Sequence, residues 1–188
     1  MKRIISSYTL VPVLIVLFAL AIAPLVARPA AAGTLKTDFV AYNIACENVE
    51  FGTMWVDPED GTIHLRDRVL RSVVISDNEY HNGTGFIYAN FNSDPAAGVL
   101  TYHGTLEIHP ELKDGYWAGS WSLQVVPSGA SGIARLQGYG TDLSGLSIKS
   151  ILTPLTPIQL AEFSYACGGN PPVSGVKSQA TMINPGDK

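Results

Sequence analysis

Tyr102-His103-Gly104-Thr105-Leu106-Glu107-Ile108-His109 and, after one short break, Trp117-Ala118-Gly119-Ser120-Trp121-Ser122-Leu123-Gln124-Val125 alternate between two kinds of side chain. Successive residues of a strand point to opposite faces, so each stretch has one face for a core and one for water. Tyr102, Gly104, Leu106 and Ile108 share the inner face of the first. Trp117, Gly119, Trp121, Leu123 and Val125 share that of the second. Gly104, Gly119 and, further on, Gly138 lie inside strands rather than between them, which marks strong bending. A sheet cannot leave two long edges open without inviting aggregation, so bent strands of this kind close into a barrel or stack as a sandwich. The expectation is an all-β, antiparallel closed barrel of about eight strands, with a β-sandwich as the alternative.

The neighbouring sequence repeats the pattern. Strands are expected at 36–44, 47–56, 62–67, 69–76, 84–92, 99–109, 115–126 and 132–139, between turn signals such as Asp57-Pro58-Glu59-Asp60-Gly61 and Pro127-Ser128-Gly129. A single helical turn fits 156–161, and a closing strand fits 163–167. From there on Gly, Pro, Ser, Asn and Lys prevail. That composition predicts a barrel domain over 33–168 and a disordered tail over 169–188.

The chain opens on Met1-Lys2-Arg3, an almost continuous apolar run from Val11 to Ala23, and Ala30-Ala31-Ala32. This is the form of an export signal, here 1–32, cut before Gly33. The rival is an uncleaved membrane anchor over 9–27, which is uncharged and approaches a bilayer span. Either way the domain is expected outside the cytoplasm, secreted or tethered. There two cysteines, Cys46 and Cys167, are expected to pair as a disulfide. Such a bond would stabilise the fold by roughly 4–5 kcal/mol in the chain-entropy view.

The formal charge is −4, and loss of Lys2, Arg3 and Arg28 with the signal takes it to about −7. An acidic chain without a basic stripe is a poor partner for nucleic acid. Arg66-Asp67-Arg68 with Arg71 is too short and too mixed to count as one.

The order Gly-Val-Leu-Thr-Tyr-His-Gly-Thr-Leu-Glu-Ile from Gly98, then Gly-Tyr-Trp-Ala-Gly-Ser-Trp-Ser-Leu from Gly115, then Ala-Arg-Leu-Gln-Gly-Tyr-Gly-Thr-Asp-Leu-Ser-Gly-Leu from Ala134, resembles the hairpins of the allene-oxide-cyclase-like and dirigent-like barrels, small secreted bacterial members included. The resemblance covers about a third of the part after the signal. It implies an eight-stranded antiparallel barrel with a partly apolar lumen. The enzymes of that group use polar residues in the lumen, and their positions have no residue-by-residue match in this sequence, so no activity is carried over.

Other chemistry is sparse. His103, Glu107 and His109 share a strand face, but His103 and Glu107 are about 13 Å apart along a strand, too far for one ion. A site using Glu107 and His109 would need His64 or His81 from a neighbour, and a solvated polar face is the simpler reading. Neither metal nor cofactor is expected. Gly-x-Ser-x-Gly, Walker and dinucleotide loops are absent. Asn82-Gly83-Thr84 fits both a glycosylation acceptor and a tight turn.

Tyr102, Trp117 and Trp121 would either pack the core or line a cavity for a small apolar or amphipathic molecule. The leading expectation is a non-enzymatic binding barrel with these three as contacts. Its alternatives are an extracellular isomerase or cyclase working through a lumen carboxylate, and a cell-surface interaction protein using the outer face and the tail. Oligomeric state is left open.

Overall fold

The computed structural model of the chain describes residues 34–186; the expected signal, 1–32, and its rival anchor, 9–27, lie outside them. Strands β1 (Leu35–Glu50), β2 (Thr53–Val56), β3 (Ile63–Ser76), β4 (Gly83–Asp94), β5 (Val99–Pro110), β6 (Tyr116–Val126), β7 (Gly129–Tyr139), β8 (Ser147–Pro154) and β9 (Ser174–Asn184) form one antiparallel sheet. β1 pairs with β9 on one side and with β3 on the other, which closes β1-β3-β4-β5-β6-β7-β8-β9 into an eight-stranded barrel. β2 continues beside the part of β3 that β1 does not reach, with Thr53 opposite Arg66 and Val56 opposite Ile63. Among the described residues no helix is long and apolar enough to cross a membrane.

Alternation of inward and outward side chains governs the walls. Along β7, Ala134, Leu136 and Gly138 are buried while Ile133, Arg135, Gln137 and Tyr139 face outward. The in-strand glycines sit where the wall bends most tightly. A Cβ on Gly104 would overlap the carbonyl oxygen of Tyr88 on β4, and one on Gly119 would overlap that of Arg135 on β7. No other residue fits those backbones without a shift.

Five expectations are corrected. The strands expected at 36–44 and 47–56 are divided differently, into one continuous β1 and the short β2. The strands expected at 62–67 and 69–76 are a single strand, β3, broken by a bulge at Asp67, which takes a left-handed backbone (φ 60°). The ladder passes from Leu65 opposite Phe91 to Arg68 opposite Ala89, one extra residue on β3, so Leu65 and Arg68 face the same way. The 163–167 segment is a tight 3-10 turn (Ser164–Cys167) rather than a closing strand. Ser147–Pro154 is a stave for which no strand was expected.

The largest correction concerns the expected disordered tail over 169–188: within it Ser174–Asn184 is β9, the strand that closes the barrel between β1 and β8. The barrel therefore runs well past residue 168. The inward positions of β9 include Ser178 and Ala180, both buried, and the polar Lys177, Gln179 and Thr181 lie between and beyond them. A stave with inner side chains as small as these reads by composition as a linker, although it is paired with both β1 and β8.

One end of the barrel is filled. Phe39, Val74, Ile108, Trp117, Leu136 and Ile148 form its core, with Leu143 and Leu146 of the β7–β8 loop closing it from below. Trp117 is fully buried, and its indole N–H donates to the carbonyl oxygen of Tyr80 in the β3–β4 loop.

Candidate ligand cavity

Above this plug the lumen holds a cavity of about 380 Å³. Its wall on β4 to β7 is apolar and partly aromatic, with Phe91, Tyr102, Trp121, Leu123, Ala134 and Leu136 facing inward. The rings of Phe91 and Tyr102, directly opposite in the ladder, lie 5.6 Å apart. The other wall carries the polar groups, Asn43 on β1, Ser178 on β9, Ser150 on β8 and Arg68 on β3. His81 lies at the floor. Size, apolar lining and a few convergent polar groups are the ordinary attributes of a small-molecule site.

Two of these residues, Asn43 and His81, carry a polar atom with nothing to bond among the described residues. Asn43 Oδ1, His81 Nδ1 and, beside Asn43 on β3, Ser72 Oγ are buried without a hydrogen-bond partner among the described residues. Such groups are costly to bury unpaired, at roughly 1–3 kcal/mol each. His81 packs edge-on to Phe39, with ring centroids 5.3 Å apart, and 6.3 Å from the Trp117 ring. Burial disfavours the imidazolium there and lowers its pKa to about 4, so the ring is neutral at physiological pH.

The connection 155–173 borders the open end, contributing Leu155, Leu160 and Val173 to the lining. Within it α1 (Pro157–Ala161) starts on a capping box, Thr156 accepting from the Gln159 backbone and the Gln159 side chain accepting from that of Thr156. The connection is tied to the barrel by the Cys46–Cys167 disulfide, with Cα atoms 5.1 Å apart across a sequence separation of 121. Phe163 packs on Tyr42, and the Val173 N–H donates to the Ala45 carbonyl. A disulfide across the mouth fits a protein that folds outside the reducing cytosol.

Of the three expected contacts, Tyr102 and Trp121 line the cavity, whereas Trp117 lies in the plug and is absent from the lining. Sequence reasoning missed Arg68, Asn43 and His81. Arg68 was read as part of a mixed charge cluster, and the bulge that turns it inward has no signal beyond an aspartate that tolerates a left-handed backbone.

The other histidines do not converge. Glu107 and His109 pair at 2.6 Å on the outer wall, beside the stacked rings of Tyr116 and Tyr139. His64 stacks on Trp55 and bonds Asn92. Asn82 is used by the turn, its side-chain oxygen accepting the Ser76 N–H. Among the described residues that line the cavity there is no aspartate or glutamate to match the lumen carboxylate on which an isomerase or cyclase would depend. Comparison of the chain with known protein families, with curated proteins and with solved structures finds no match.

Proposed function

We propose that this is an exported binding protein that holds a small, mainly apolar molecule inside its barrel. The observation that carries the reading is the cavity, whose apolar wall faces buried polar atoms left without protein partners. Apolar area drives such a ligand in, and the orphaned groups reward one that carries matching polar atoms. Tyr102 and Trp121 are the aromatic contacts in this reading. Export is supported by the form of 1–32 and by the disulfide. Kinship with the allene-oxide-cyclase-like and dirigent-like barrels belongs to the same proposal, supported by the closed eight-strand topology and the inward glycines of β5 to β7. That kinship concerns architecture, and fold alone assigns no activity.

The test is extraction of the natively produced, disulfide-intact protein with organic solvent, followed by mass spectrometry, together with titration by the neutral apolar fluorophore N-phenyl-1-naphthylamine. A stoichiometric small molecule in the extract, or saturable one-to-one uptake of the fluorophore, is the expected result. An empty extract from a protein that also takes up no fluorophore overturns the proposal.

A further inference from the structure

Among the described residues that line the cavity, Arg68 is the single charged side chain. The extra residue at Asp67 brings it to the inner face, where a regular strand would have turned it out. Its Nε donates to Asn48 Oδ1 at 2.7 Å. That bond orients the guanidinium and leaves both terminal amino groups without an acceptor among the described residues. Nor does Arg68 belong to any ion pair there. Arg71, three residues on, is paired with Glu47 at 2.9 Å on the outside. An inward, unpaired guanidinium with both terminal amino groups free is a geometry that receives two oxygens of an acid group in two parallel hydrogen bonds.

The ladder shows what lies beside it. Arg68 is opposite Ala89, Ala89 opposite Gly104, and Gly104 opposite Trp121. The row thus runs from a cation to an indole across two of the smallest side chains, over three strand spacings, or roughly 14 Å. One register step away, Phe91 and Tyr102 add two more rings. We infer that the cavity takes an aromatic organic anion, its acid group on Arg68 and its ring body lying over Ala89 and Gly104 against Trp121.

This inference rests on the proposed binding function, and a matched pair of probes separates the two. N-phenyl-1-naphthylamine and 1-anilinonaphthalene-8-sulfonate share one ring body, and the second adds a sulfonate. Both are titrated into the purified full-length protein and into Arg68→Met and Arg68→Lys, with thermal unfolding as the check on folding. Wild type is expected to prefer the sulfonate by at least about tenfold, in keeping with a hydrogen bond to a charged group. Arg68→Met is expected to weaken the sulfonate probe far more than the neutral one and so remove that preference, and Arg68→Lys to keep part of it. Equal affinity of wild type for the two probes overturns the inference, even if the variants fail to fold. So does an Arg68→Met variant that weakens both probes alike. Uptake of neither probe by wild type overturns the binding function itself.

Discussion

Trp117→Ala and Trp121→Ala are expected to behave differently, although both indoles sit on the inner face of the same strand. Trp117 is fully enclosed by the plug, so truncation leaves a hole among side chains that are already packed. Burial of a large aromatic on this scale is worth about 3–5 kcal/mol on truncation to alanine. The Tyr80 carbonyl also loses its donor, which adds about 1 kcal/mol. The sum, about 4–6 kcal/mol, is a large part of an ordinary domain's stability. At roughly 2–4 °C per kcal/mol for a chain of this size, the thermal midpoint should fall by about 10–20 °C. Trp121 instead faces the open cavity, and its loss enlarges a space that already exists. About 1–2 kcal/mol is expected there, together with weaker uptake of N-phenyl-1-naphthylamine. Urea unfolding followed by far-UV circular dichroism, with the disulfide intact, measures both. Equal losses for the two variants, or a loss below about 1 kcal/mol for Trp117→Ala, would refute the division of the lumen into plug and cavity.

Three further outcomes follow from other parts of the barrel. Replacing Cys46 and Cys167 with serine should cost about 4–5 kcal/mol, because the bond links positions separated by 121 in sequence, and reducing agent should lower the wild-type midpoint to that of the double variant. Truncation after Asn170 should give an unfolded chain by circular dichroism, since it deletes the stave that joins β1 to β8; a folded product would mean that 169–188 is dispensable after all. His81 titrates near 6.5 when unfolded and about 4 when folded, so the unfolded state binds the proton first as pH falls. Stability contributed by the neutral ring is full above pH 6.5 and is lost towards pH 4, by roughly 3 kcal/mol. His81→Phe should remove that part of the pH dependence of urea midpoints, and an unchanged profile would count against a buried neutral ring.

The parts of this architecture legible in the sequence are those where side-chain size and polarity alternate together. β5 and β6 declared themselves through Tyr102, Leu106, Ile108, Trp117, Trp121 and Leu123, all of which face inward. The disulfide was legible because only two cysteines exist and the stretch before them has the form of an export signal. β9 was hidden because a narrow lumen wants small side chains, and Ser178 and Ala180 resemble a linker. β8 was hidden by brevity, with Ile148 and Leu152 as its two large inward residues. In the cavity, Tyr102 and Trp121 were legible as aromatics on an inner face. Arg68 was not, since a bulge changes which face a residue takes without changing its type, and only the ladder with β4 shows where the extra residue falls.

Ala89→Trp offers the sharpest test of a ligand-accepting lumen, because it fills the gap between Arg68 and Trp121 from a buried position on β4. Wild type and variant are each titrated with N-phenyl-1-naphthylamine after circular dichroism has confirmed that both are folded. Saturable one-to-one uptake by wild type and none by the folded Ala89→Trp is the predicted result. Equal uptake by both would mean that the probe binds elsewhere and that the barrel interior is not the site.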